Sequence, residues 1–196
     1  MLRALALVAL GWFLMAAVAG LGHAFSLTLA LPATSVVLVT YLAYEREGSL
    51  PRGLAVTIAL GYLEDLHQGL PTGTLSLAYA LVYLFLAWTS LRLALTGLVF
   101  RALTAALACL AVDLLTWALL FLLADALDIN REGLAAGLRT IHWHAIATAL
   151  AAPAIWGILG VLEVLTRRLG GQAPTPQRVH PQRPPPQRPL APWKRP

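Results

Sequence analysis

Long apolar runs broken by short polar interruptions dominate the pattern along this chain. A helix crossing the hydrocarbon core of a bilayer needs about 20 apolar residues, with a range of roughly 17 to 25. Six runs approach or meet that length: residues 4–21, about 24–44, 53 to about 66, 73–91, about 102–124 and about 141–165. Only Gly22 and His23 separate the first two, so a tight turn is expected there. Pro32 falls near the start of the second run and is tolerable there, since a proline costs least in a first helical turn, where its missing N–H had no partner. Pro153 lies inside the sixth run, where it should kink the helix and free the carbonyl near Ala149.

The apolar pattern is interrupted most sharply at residues 61–73, where Gly61, Asp65, Gly69 and Gly73 recur at four-residue steps. On one continuous helix Gly61, Asp65 and Gly69 would form a single stripe, open to a neighbouring helix and carrying a carboxylate at its centre. On this reading Gly69→Leu, which blocks close approach, should harm function more than Asp65→Asn. Ionisable groups inside a membrane are costly and face a bundle interior or a cavity, which draws attention to Glu64, Asp65 and Asp113. Asp65 is twelve residues beyond Gly53 and Asp113 twelve beyond Arg101, so both should sit roughly 18 Å from the same boundary. The two aspartates either share a proton, as neighbouring carboxyls can, or take hydrogen bonds separately. Glu64, about 100° around the helix from Asp65, is expected at the outer interface. In the first run, Ala16 and Gly20 form another four-residue step of small residues. Such steps let membrane helices pack closely, and internal packing is the expectation for this pair.

Composition turns these runs into a class. Hydrophobic residues make up 59% and charged residues 12%, against about half and a quarter in a soluble domain, so a polytopic all-α membrane bundle of about six helices is expected. The formal charge of +5 is a property of the carboxyl-terminal end: residues 1–166 hold seven arginines against nine acids, and residues 167–196 hold seven basic residues and no acid. Arg3 with Ala17 and Ala19 also resembles a secretory signal, but the reading adopted keeps this segment as the first span. Arg3, Arg46, Arg52, Arg92, Arg101, Arg167 and Arg168 then fall on one side and only Arg131 and Arg139 on the other. By the positive-inside rule both termini are expected in the cytoplasm. Residues 170–196 form a separate tail in which Pro-Gln-Arg ends at Arg178, Arg183 and Arg188. Such a segment is expected to stay extended and to be drawn to anionic lipid, by about 1 kcal/mol for each basic residue near the surface. With no aromatic platform beyond Trp193, nucleic acid is not an expected partner.

Candidate chemistry changes this picture little. The single Cys109 excludes an intrachain disulfide and a cysteine-based metal cluster and reads as a packing residue. His142 and His144 are two apart, about 200° around a helix, and so cannot chelate one ion as an i, i+4 pair does. With His23 and His67 they fall at the outer ends of the runs and could form an outer-face polar cluster. No nucleophile with a base, no phosphate-cradling glycine loop and no metal set is legible. No catalytic residue, metal or cofactor is therefore expected, and the chain reads as a non-enzyme.

The step pattern of Gly61, Asp65, Gly69 and Gly73, preceded by Gly53 and followed by a long apolar helix, resembles the rod shape-determining membrane protein family MreD. Leu31-Pro32 opening the second span, the run Ala111-Val112-Asp113-Leu114-Leu115, Pro153 in the last span and Arg167-Arg168 after it agree with that resemblance. It covers about residues 1–169, and the tail is longer than the family leads one to expect. The resemblance implies a bacterial inner-membrane scaffold or regulator of the elongation machinery for peptidoglycan. Its partners would be MreC, RodA with its class B penicillin-binding transpeptidase, and MreB on the cytoplasmic side. It also implies likeness in fold to the substrate-binding S-components of energy-coupling-factor transporters, which supplies the alternative function of a vitamin or small-molecule transporter subunit. Gly61, Asp65, Gly69, Gly73, Asp113 and Pro153 would then be packing or partner-binding positions.

Overall fold

A single short helix, buried on every side, lies at the centre of the bundle. In the computed structural model, which describes residues 2–24, 31–44, 49–90, 97–126, 134, 137–138 and 140–169, the described residues form α1 (Leu2–Ala24), α2 (Thr34–Tyr44), α3 (Leu50–Gln68), α4 (Thr74–Ser90), α5 (Leu98–Leu123) and α6 (Ile141–Leu169). Every residue from Ala33 to Thr40 is buried. A helix that is apolar all round is stable only when neighbours cover all its faces. They do: α1, α3, α4 and α5 pack on α2. α6 reaches it through Tyr41 and Trp156, whose rings meet edge-on with centroids 5.5 Å apart. α1 also packs on α3, and α4 lies against both α3 and α5.

The helix ends explain why the chain turns where it does. Pro32 lies ahead of α2 rather than in its first turn, and its carbonyl accepts the Thr34 N–H at 2.9 Å. The Ala33 N–H, left over at the start of α2, is taken by the Thr148 hydroxyl of α6 at 2.9 Å, which meets the need of a helix terminus for outside acceptors. The expected turn at Gly22 and His23 is not made, since α1 runs on to Ala24; residues 25–30 lie outside the described residues. At the start of α3, Pro51 occupies the first turn, where proline is favoured. Pro153 sits within an otherwise continuous α6.

Among the described residues, three helices are long and apolar enough to cross a membrane: Ala4–Gly22, Leu98–Leu123 and Ile141–Leu165. α2 and α4 are apolar but shorter, and α3 carries the polar cluster at its end. Large apolar side chains are exposed around the bundle, with Val99 79%, Leu122 78% and Leu150 78% accessible, an exterior suited to lipid rather than water. Ala16 and Gly20, expected to pack internally, are instead on the exposed face of α1 beside Trp12 and Phe13, and a side chain at Gly20 would meet nothing. The sequence places their small size correctly but not the direction in which the helix face points.

Candidate functional site

α3 and α4 form a hairpin whose joint absorbs the whole Gly61 to Gly73 pattern. Gly61 faces the start of α4 so closely that a Cβ there would lie 2.6 Å from Ser76 Cα and 2.7 Å from Ser76 N. Gly69 ends α3 in the left-handed conformation at φ 66° and Gly73 has φ 99°, conformations that glycine adopts without steric cost. The Asp65 carboxylate, fully buried, then accepts the Gly73 and Leu75 N–H groups, each at 2.8 Å, and the Ser76 N–H at 3.5 Å. Asp65 thus caps the amino terminus of α4 from the last turns of α3, satisfying donors that α4 cannot bond itself and placing negative charge where the helix dipole favours it. The expected continuous stripe is corrected here. Only Gly61 and Asp65 share a helix face, because the chain leaves the helix at Gly69. That face packs within the bundle, so these residues are not free for a partner.

Glu64, expected to point outward, points inward. Its carboxyl accepts hydrogen bonds from the Ser35 hydroxyl of α2 and the Tyr79 hydroxyl of α4, both on Oε2, and from Gln68 Nε2 at 2.9 Å on Oε1. The Ser35 and Tyr79 oxygens are themselves 2.7 Å apart. The reason lies in the stripe correction: with Asp65 committed to α4, a rotation of about 100° carries Glu64 towards α2. A buried carboxyl is tolerated only where hydrogen bonds replace water, and three helices supply them.

The second polar centre joins α5 and α6. Asp113 Oδ2 lies 2.9 Å from His144 Nδ1 and 3.7 Å from Cys109 Sγ. Thr148 Oγ1 lies 3.5 Å from the same sulfur and donates to the His144 carbonyl at 2.8 Å. Each helix contributes an i, i+4 pair, Cys109 with Asp113 and His144 with Thr148, so the side chains stand one above another on facing surfaces. Cys109 is therefore part of a polar network as well as a packing residue. The ligand atoms of Cys109, Asp113 and His144 lie within 4.8 Å of one another, close enough to hold a metal ion. The Asp113–His144 contact nevertheless has the length of an ordinary charge-assisted hydrogen bond, which a shared proton accounts for without an ion.

The two aspartates do not pair. Asp65 bonds to the α4 terminus and Asp113 to α6, so the alternative of separate hydrogen bonding holds, with α2 and α4 packed against both α3 and α5. Both centres instead open on one cavity of about 800 Å³, lined by residues that include Glu64, Gln68, Tyr79, Asp113, Trp117 and His144. The carboxyl-terminal ends of α1, α3 and α5 and the amino-terminal ends of α2, α4 and α6 all contribute to its wall. Of the four histidines expected in an outer cluster, His67 and His144 line this cavity. His142 is exposed and packs on Trp143, with ring centroids 5.3 Å apart. The side chain of His23 lies outside the described residues. Sequence reasoning missed Ser35, Tyr79 and Thr148: single hydroxyls in apolar runs, they gain meaning only when α2, α4 and α6 meet. Comparison with protein-family models, curated proteins and solved structures finds no match.

Proposed function

We propose that the chain is a non-enzymatic bacterial inner-membrane scaffold of the MreD type, binding MreC and supporting the peptidoglycan elongation complex of RodA and its transpeptidase, with MreB engaged from the cytoplasmic side. The observation that carries this reading is the α3–α4 joint. The four residues on which the resemblance rests, Gly61, Asp65, Gly69 and Gly73, act as one structural unit in which each has a separate physical task. The surface offered to partner helices is then the exposed face of α1 at Ala16 and Gly20, not the motif itself. The finer architecture proposed is six spans with both termini cytoplasmic, in the manner of an S-component, and a basic tail held at anionic lipid.

One observation favours a second reading. The cavity of about 800 Å³ with buried polar groups is what a substrate-binding membrane subunit of a small-molecule transporter needs. Purification of the tagged chain from its native membrane in mild detergent separates the two. Recovery of MreC or the RodA complex supports the scaffold, and recovery of an ATPase-coupled membrane partner in their place overturns it. Gly20→Leu, on the exposed face of α1, should reduce MreC recovery while leaving the chain folded.

A further inference from the structure

We infer that the cavity between the two polar centres is a binding site for a small molecule carrying a hydrogen-bond donor, an ammonium or hydroxyl group, on an apolar body. This holds whether the chain is a scaffold or a transporter subunit. A volume of about 800 Å³ falls within the roughly 300 to 1,000 Å³ of small-molecule sites. Most of the wall is apolar, with Met15, Val18, Leu31, Val112 and Leu120 among its residues, and would take the body of the ligand.

The polar part of the wall selects the other end. Asp113 Oδ1 has no hydrogen-bond partner among the described residues, while Oδ2 is held by His144, and the side chain keeps 19% of its surface accessible. Glu64 Oε1 accepts one bond, from Gln68, and a carboxylate oxygen has room for a second. Thr116, which lines the same cavity, has a buried hydroxyl with no partner among the described residues, and it can accept as well as donate. The open positions are therefore chiefly acceptors. In the arrangement seen, the Asp113–His144 pair carries no net positive charge and Glu64 can add only negative charge. An anion would meet these acceptors without a countercharge, whereas an ammonium or hydroxyl would satisfy them, and unmade bonds in such a place are expensive.

Binding of three size-matched probes, 3-phenylpropylamine, 3-phenylpropanol and 3-phenylpropionate, to the full chain in phosphatidylcholine nanodiscs tests this. Saturable binding is read by ligand-observed NMR against empty nanodiscs. The amine and the alcohol are expected to bind, and the carboxylate at least tenfold more weakly. Asp113→Asn should weaken the amine at least tenfold and the alcohol less. Because that change also alters the bond to α6, Ala19→Phe, which adds a ring to the α1 part of the wall and leaves the residues of both polar centres in place, should weaken both. Failure of the amine and the alcohol to exceed empty nanodiscs, equal binding of the carboxylate, or binding that Ala19→Phe leaves unchanged overturns the inference. Mass spectrometry of material released on denaturing the natively purified chain identifies the source. A free amine or alcohol and a lipid with an amino or hydroxyl headgroup both support the site; a carboxylate released in stoichiometric amount overturns it. Loss of MreC with retained probe binding overturns only the scaffold reading.

Discussion

Adding one methyl group at Gly61 tests the joint most directly. In Gly61→Ala the new Cβ would stand 2.6 Å from Ser76 Cα, 2.7 Å from Ser76 N and 2.9 Å from the Leu75 carbonyl carbon. All three are backbone atoms, so no side-chain rotation relieves the contact. Carbon atoms pack best at about 3.5 to 4.0 Å, and the start of α4 must therefore retreat by roughly 1 Å. The same movement draws Leu75 N away from Asp65, from 2.8 Å towards the limit of about 3.2 Å at which such bonds are normally found. Overpacking of this kind costs about 1 to 3 kcal/mol, and a weakened hydrogen bond to a charged acceptor adds on the order of 1 kcal/mol. Against this, alanine gains up to about 1 kcal/mol over glycine in a helix interior. A net loss of about 2 kcal/mol is expected. Gly157→Ala in α6 is the control, since a Cβ there meets nothing and the propensity gain of up to about 1 kcal/mol stands alone. Equilibrium unfolding of the purified chain in mixed micelles, titrated with a denaturing detergent, measures both. If Gly61→Ala proves as stable as the parent, the close approach of α3 and α4 is not as described and the account of the joint fails.

Four further outcomes follow from the same geometry. Asp65→Asn keeps one acceptor but turns an NH₂ group towards a backbone N–H, costing about 2 to 3 kcal/mol, while Gly69→Leu meets no atom and costs about 1 to 2 kcal/mol of left-handed strain. In unfolding and cell-shape assays the aspartate change should now be the more harmful, the reverse of the order expected from a continuous stripe. Glu64→Leu strands the buried Ser35 and Tyr79 donors and should destabilise by about 3 kcal/mol, and adding Tyr79→Phe to it should recover part of that loss; a double variant worse than the single would contradict the network. Thr148→Val removes the acceptor for the Ala33 N–H and should cost about 1 to 2 kcal/mol, visible as faster amide exchange at the start of α2. In a Cys109→Ala background, an impermeant maleimide should label Thr72→Cys from outside intact cells and Ser49→Cys only after permeabilisation; the opposite pattern would invert the proposed topology.

The helices were legible because membrane-length apolar runs leave few alternatives. The expected third, fourth and sixth segments, 53 to about 66, 73–91 and 141–165, lie close to α3, α4 and α6. Boundaries failed where breaks lacked a strong signal. Gly22 and His23 resemble a turn, yet a glycine inside an apolar helix is tolerated when the packing accepts it, and α1 continues through both. The site was half legible. Asp65 and Asp113 announced themselves by the cost of charge in an apolar chain, but which neighbour satisfies each depends on helix rotation. An error of one residue in where α3 ends exchanges the roles of Glu64 and Asp65. Gly69 illustrates the same limit: four-residue spacing is equally consistent with a helix stripe and with a helix followed by its left-handed cap, and only the closing of the hairpin decides between them.

That exchange of roles ties the joint to the cavity. Glu64 and Asp65 are adjacent in the last turns of α3, so fixing one fixes the other. When Asp65 caps α4, it locks the rotation of α3 about its axis, and Glu64 is held against Ser35 and Tyr79 at the cavity wall. Tyr79 lies in the second turn of α4, the helix whose start Asp65 secures, so Glu64 and Tyr79 are both positioned by the same cap. Asp113 and His144 form the opposing wall, with α6 itself tied to α2 by the bond from Ala33 N–H to Thr148. The cavity is thus framed by two hydrogen-bonded connections between helices, and each depends on a single side chain accepting backbone N–H groups. A change at Gly61 that pushes α4 outward must also move Tyr79 relative to Glu64. Loss of stability in Gly61→Ala should therefore be accompanied by weaker binding of 3-phenylpropylamine, although Gly61 is not among the residues lining the cavity.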